Sequence, residues 1–128
     1  MKIKESAENY LEAILMIKLK KGSVRSIDVA NHLNFTKPSI SVAMKNFREE
    51  GYINMDSEGS ITLTEKGQGI AERVYERHQV IAKALMALGV DEATAYEDSC
   101  KIEHDISDLS FEKIKEHLAQ YSKETAGE

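Results

Sequence analysis

Residues 26–63 constrain the fold more tightly than any other stretch of the chain. Ser26 or Ser23 can cap a short helix through Leu33, with Ile27, Ala30 and Leu33 facing inward, and Asn34-Phe35 makes a turn. Thr36 then caps a second helix, with Pro38 in its first turn, where a missing N–H has no intrahelical partner to lose. Ile40, Met44 and Phe47 recur at helical spacing, which leaves Ser39, Ser41, Lys45 and Arg48 on the opposite side. Gly51 ends that helix. Tyr52-Ile53-Asn54-Met55 and Ser60-Ile61-Thr62-Leu63 then read as two strands around the turn Asp56-Ser57-Glu58-Gly59. A short helix, a tight turn, a helix with a hydroxyl and basic outer face, and a hairpin form the order of a winged helix-turn-helix.

The flanks are helical. Residues 5–20 carry Tyr10, Leu11, Ile14, Leu15 and Ile17 on a broad apolar face, then Lys18, Lys20 and Lys21 where they complement the helix dipole, then Gly22 as a stop. Beyond the hairpin, Thr64 caps a long helix with Ile70, Val74, Ile81, Leu85 and Leu88 along one side, ending at Gly89. Gly67 and Gly69 each weaken its start by about 1 kcal/mol relative to Ala. Asp91-Glu92 opens a further helix. Ser107 or Ser110 caps a last one, with Phe111, Ile114, Leu118 and Tyr121 at helical spacing. Three such apolar faces exceed what so small a subdomain can bury alone, so a helical homodimer interface is expected. The fold class is mainly α with a small β-hairpin wing. An N-terminal winged helix-turn-helix (1–70) precedes an α-helical dimerisation domain (71–128).

Charge and cysteine usage narrow the function classes. The net charge of −5 argues against a nucleic-acid partner only until its distribution is read. Residues 1–66 hold 10 Lys/Arg against 9 Asp/Glu, and residues 67–128 hold 7 against 13, so the front half is near neutral and the rear is acidic. A DNA site needs a local patch rather than a basic whole. No apolar run approaches the roughly 20 residues that span a bilayer, and Met1-Lys2-Ile3-Lys4 leads into no signal-peptide core, so no membrane partner is expected. A single Cys excludes an internal disulfide framework and suits a cytoplasmic setting.

That one cysteine lies in Tyr96-Glu97-Asp98-Ser99-Cys100-Lys101-Ile102-Glu103-His104. On a helix, Cys100, Glu103 and His104 fall at i, i+3 and i+4, bringing thiol, carboxylate and imidazole to one face. Those are three metal-ligand chemistries. Elsewhere, Asn9 and Glu12 are three apart on the first helix, and His78 lies four after Val74 beside an apolar stripe. Alone, the first two read as a solvated pair and the last as a hydrogen-bonded boundary histidine. Alternatively the winged helix belongs to a repressor in which Cys100 is a redox switch or the pocket holds a small organic ligand. A metalloenzyme finds no support, because no H-E-x-x-H signature and no base separate from the ligands is present.

The order of parts resembles the DtxR/MntR family of metal-dependent transcriptional repressors along almost the whole chain. The likeness rests on Tyr10-Leu11-Glu12-Ala13-Ile14, the winged helix, Leu63-Thr64-Glu65-Lys66-Gly67, Arg77-His78, Gly89-Val90-Asp91 and Cys100-Lys101-Ile102-Glu103-His104. It implies a homodimer in which a divalent metal ties the first helix to the dimerisation helices and favours the arrangement that fits a palindromic operator in double-stranded DNA. Carried over by position, the implied ligands are Asn9, Glu12, His78, Cys100, Glu103 and His104. Asn9 replaces the Asp of the manganese-sensing branch and the Met of the iron-sensing branch. Cys100 matches the iron branch, whereas Glu12 points towards manganese. Ala82 and Tyr96 stand where an ancillary metal site has Glu and His, which implies that this second site is absent. No C-terminal SH3-like domain is expected. A thiolate suits softer ions and Mn²⁺ is the weakest binder of its series, so Fe²⁺ is slightly favoured over Mn²⁺, with Co²⁺, Ni²⁺ or Zn²⁺ accepted in vitro. For DNA, Lys37, Lys45, Arg48 and Arg25 are the expected phosphate contacts, and Thr36, Pro38, Ser39 and Ser41 sit where the family's recognition helix meets bases. Ser57 to Ser60 would bring the wing to the backbone, a contact that Asp56 and Glu58 weaken.

Overall fold

The structure is a computed structural model that describes residues 5–126, with side chains from 6 to 121. Its elements run α1 (Glu5–Lys21), α2 (Ser26–Leu33), α3 (Lys37–Glu49), β1 (Ile53–Met55), β2 (Ile61–Leu63), α4 (Glu65–Ala87), α5 (Glu92–Ile102) and α6 (Asp108–Ala126). The chain divides into two compact units between Arg73 and Val74, within α4.

In the N-terminal unit, α2 packs on α1 and α3, while α1 meets β2 and α3 meets β1. Its core is Leu11, Ile14, Val24, Val29, Ile40, Met44, Ile53 and Ile61, each at most 2% exposed. Complete burial of such a side chain contributes about 1.5–3 kcal/mol. Tyr10 adds edge contacts, its ring centroid 5.6 Å from that of Phe35 and 5.3 Å from that of Phe47. The strands pair antiparallel, Ile53 with Leu63, Asn54 with Thr62 and Met55 with Ile61. Ile61 N also donates to Val24 O at 2.8 Å, tying the wing to the segment before α2.

Two sequence readings of α2 need correction. The N-cap position is Arg25 rather than either serine, and the start is secured from inside the helix, with Arg25 N donating to Asp28 Oδ2 at 3.0 Å. Lys21 Nζ donates to the same carboxylate at 2.7 Å and holds the Asp28 carboxyl below its ordinary range. Ile27 is 42% exposed and does not face inward; Val29 joins the expected Ala30 in the core, and Leu33 is half-buried. The helix is too short for apolar spacing to fix its phase. Its end does follow the sequence: Asn34 takes the left-handed conformation (φ 58°), and Phe35 N donates to Ala30 O.

The start of α3 is as expected. Thr36 Oγ1 accepts from Ser39 N at 3.3 Å and shares a 2.9 Å hydrogen bond with the Ser39 hydroxyl. Thr36→Ala should therefore cost about 1 kcal/mol in urea unfolding, with Thr36→Ser close to wild type. A Thr36→Ala variant with wild-type stability would remove this cap as a support of the helix.

Within the C-terminal unit, α5 begins at the Asp91 cap, whose carboxylate accepts from Thr94 N at 3.0 Å. Ser107 Oγ caps α6 by accepting from Ser110 N at 3.1 Å, which selects Ser107 from the two candidates. Among its described residues, Val74, Ile81, Ala82, Ala95 and Phe111 are the buried apolar ones. Leu88, by contrast, is 83% exposed, and it joins Leu85, Ile102, Ile114 and Leu118 along an open apolar groove. No described helix is long and apolar enough to cross a membrane.

Candidate metal centre and nucleic-acid interface

Helix α5 ends at Ile102, so only Cys100 of the expected trio lies within it. Glu103 keeps helical dihedrals (φ −57°, ψ −27°) and donates its N–H to Ser99 O, whereas His104 enters the turn that leads to α6. The single-face expectation thus holds for Cys100 and Glu103. His104 is placed by the turn rather than by helical periodicity.

His78, Cys100 and Glu103 offer ligand atoms that all lie within 4.8 Å of one another. Cys100 Sγ is 3.3 Å from His78 Nε2 and 3.9 Å from Nδ1, and Glu103 Oε2 is 3.8 Å from His78 Nδ1. His104 Nε2 approaches the other Glu103 oxygen at 3.3 Å. Donors bound to one ion at about 2.0–2.3 Å stand roughly 3–4 Å apart, so the cluster has the scale of a coordination shell. The Glu103 side chain is fully buried, and those of His78 and His104 are 8% and 2% exposed. Cys100 is exposed.

The surroundings orient the imidazole. His78 Nε2 lies 3.2 Å from Tyr96 O, and the Tyr96 ring meets the imidazole edge-on at 5.5 Å between centroids. A proton on Nε2 satisfies that carbonyl and leaves the Nδ1 lone pair directed to the side of Glu103, the arrangement common among metal-binding histidines. Tyr96 also donates its hydroxyl to Gln79 Oε1 at 3.2 Å, and Ala82 is fully buried. Neither offers a carboxylate or imidazole for a second ion. Asn9 and Glu12, the two remaining expected ligands, belong to α1 of the N-terminal unit. Glu12 is 5% exposed, which excludes the solvated-pair reading for it, and Asn9 is half-buried.

On α3, the expected DNA-facing residues Thr36, Lys37, Pro38, Ser39, Ser41, Lys45 and Arg48 are all exposed, while Ile40, Met44 and Phe47 are buried. Arg25 is exposed as well, and its Nη2 donates to the Glu58 carbonyl in the wing turn. Asp56 likewise turns on its own loop, its Oδ1 accepting from Glu58 N and Ser60 N at 2.9 Å each. Sequence reasoning missed Val42, which is 61% exposed, and its exposed neighbour Asn46. Helical phase could have found both, because position 42 lies opposite the Ile40–Met44–Phe47 stripe.

Comparison with known proteins agrees with both halves. The family described as "Iron dependent repressor, N-terminal DNA binding domain" matches residues 2–60, and "Iron dependent repressor, metal binding and dimerisation domain" matches residues 64–128. The chain is 35% identical over 119 residues to an uncharacterised HTH-type transcriptional regulator of Methanocaldococcus jannaschii, covering 91% of this chain and 95% of that protein. It is 33% identical over 119 residues to the HTH-type transcriptional regulator MntR of Bacillus subtilis, covering 93% and 83%. Among solved structures, the manganese regulator SloR superposes with a TM-score of 0.76 at 25% identity, covering 93% of this chain and 55% of SloR. The chain thus spans only about half of that solved relative. With matching profiles over both halves and relatives above 30% identity along nine-tenths of its length, the chain belongs to the DtxR/MntR family of metal-dependent, DNA-binding transcriptional repressors, which are not enzymes.

Proposed function

We propose that this protein is a transcriptional repressor of metal homeostasis whose operator binding is switched on by Fe²⁺ or Mn²⁺. The observation that carries the proposal is the convergence of His78, Cys100 and Glu103 within 4.8 Å in a chain that also carries an exposed helix-turn-helix face. The proposed donor set is Asn9, Glu12, His78, Cys100, Glu103 and His104. The DNA-binding domain is assigned to residues 1–70 and the metal-binding and dimerisation domain to residues 71–128.

A bound divalent ion supplies a removable cationic cross-link among these donors. The chain's own contribution is a set of ligands drawn from α1, α4 and the α5–α6 region, so ligation favours one arrangement of the elements that carry them. It shifts that equilibrium only by its differential affinity for the two states. Coupling of about 1–3 kcal/mol would change operator affinity roughly 5- to 150-fold. Two-fold symmetry of the homodimer calls for a palindromic operator. Lys37, Lys45, Arg48 and Arg25 would meet phosphates, Thr36, Pro38, Ser39 and Ser41 would approach base edges, and the apolar Val42 suits a thymine methyl group. A cytoplasmic location follows from a DNA target.

Titration of Fe²⁺ and Mn²⁺ into an anaerobic operator-binding assay tests the proposal. Affinity should rise with either ion and fall with chelator; indifference to all three would overturn metal activation and favour redox or organic-ligand sensing. The soft thiolate of Cys100 favours Fe²⁺ slightly. Cys100→Glu should shift the preference towards Mn²⁺ by about tenfold, and an unchanged ranking of ions would remove Cys100 as the selectivity element.

A further inference from the structure

Arg77, next to His78 on α4, is only 7% exposed. Its Nη1 donates to Glu103 O at 3.1 Å and to Ile106 O at 3.0 Å, and its Nη2 pairs with the Asp108 carboxylate. The guanidinium carbon stands 5.2 Å from the centre of the buried Phe111 ring. One planar cation thereby closes the turn between α5 and α6 and anchors the first residue of α6. Glu103 and His104 both lie in that turn, beyond the last residue of α5. Regular helix hydrogen bonding reaches Glu103 N through Ser99 O, but the Glu103 carbonyl is held by Arg77.

We propose that Arg77 is a positioning residue for the metal centre. It sets where the Glu103 carboxylate and the His104 imidazole stand relative to His78, and it governs metal affinity without itself contacting the ion. Its neighbour in sequence supplies one ligand, and the backbone it grips supplies two more. The guanidinium is suited to this because its fixed fork donates to several acceptors at once; an ammonium cannot reproduce that geometry. Outer partners that orient metal ligands typically affect affinity by about 10- to 100-fold.

The inference rests on the metal site proposed above, and the test separates the two. Co²⁺ affinity is measured by competition with a chromophoric chelator for wild type, Arg77→Gln, Arg77→Lys and Asp108→Asn. Each apo protein is first shown to be folded by circular dichroism, and exchange of the amides of residues 103–108 is followed without metal. Arg77→Gln should weaken Co²⁺ binding about 10- to 100-fold, with Arg77→Lys recovering part of the loss. Exchange in the turn should quicken in the same order. The Asp108 side chain is 79% exposed, so Asp108→Asn leaves the interior intact and should weaken binding by roughly threefold. A purely structural role for Arg77 would lower the melting temperature yet leave Co²⁺ affinity unchanged in the folded variants. That result would overturn the proposal. If Arg77→Gln does not fold, wild-type affinity in both Arg77→Lys and Asp108→Asn overturns it equally. A wild type that binds no Co²⁺ would instead sink the metal site itself, and this inference with it.

Discussion

Glu103→Gln should abolish the metal response while leaving the apo protein at least as stable as wild type. The Glu103 side chain is fully buried, between imidazole nitrogens 3.3 and 3.8 Å away. Burying a carboxylate is costly even with partners, and a ligand site tolerates that cost because metal offsets it. The amide has the same shape and no charge, so the apo melting temperature should hold or rise. A neutral amide oxygen is a far poorer donor to a divalent cation, and metal affinity should fall by about 100-fold or more. At an ion concentration of about 100 times the wild-type Kd, wild type gains about 2.7 kcal/mol from binding, whereas a variant weakened about 100-fold gains about 0.4 kcal/mol. Differential scanning calorimetry with and without Mn²⁺ reads both quantities. A variant that keeps the wild-type metal shift would exclude Glu103 from the coordination sphere.

Gly67→Ala and Gly69→Ala, two residues apart on the same helix, should change stability in opposite directions. A Cβ built on Gly67 would lie 2.0 Å from the Tyr52 carbonyl oxygen and 3.0 Å from its carbon, a collision with backbone that no rotamer change relieves. The same junction is tightly bonded. Thr64 N donates to Tyr52 O at 3.1 Å, Thr64 Oγ1 donates to Gly51 O at 2.7 Å, and Gly67 N donates to Thr64 Oγ1 at 3.1 Å. Gly67→Ala must push α4 off the entry to β1 and should cost about 3 kcal/mol or more. In a unit of this size that lowers the melting temperature by roughly 10 °C or more. An added methyl on Gly69 would meet nothing within 4 Å, and the position is exposed, so alanine there should add up to about 1 kcal/mol through helix propensity. Chemical denaturation of the two variants decides the matter; a neutral Gly67→Ala would mean the α4–β1 junction yields more easily than its packing implies.

Those glycines mark what a linear reading can and cannot extract. Propensity treats Gly67 and Gly69 alike, because it knows nothing of Tyr52, which is brought alongside only by the hairpin. The end of α5 has the same character. Lys101 to Asp108 contains neither Gly nor Pro, and the helix nevertheless stops at Ile102, where Arg77 claims the carbonyls of the following turn. Long and strongly patterned segments are legible: the end of α1, the Thr36 cap, the hairpin and the apolar stripe of α3 all follow from local chemistry. Ile27 is misplaced by its pattern because α2 offers only two turns over which to fix its phase. Spacing brings Cys100 and Glu103 together, but His78 lies 22 residues from Cys100, and in the sequence only the family likeness links them. That likeness also points to Glu12, whose burial no local pattern announces.

The small number of cations on α3 sets how ionic conditions would affect this repressor. The cations on the recognition helix are Lys37, Lys45 and Arg48, and Arg25 stands beside the wing through its bond to the Glu58 carbonyl. Each phosphate neutralised on duplex DNA releases about 0.9 of a condensed counterion. On two symmetry-related faces these three cations alone would give a log–log salt slope of about −5. Each doubling of salt would then weaken operator binding about 30-fold, a change of the same order as the roughly 5- to 150-fold effect of metal, so the switch depends on a steady ionic background.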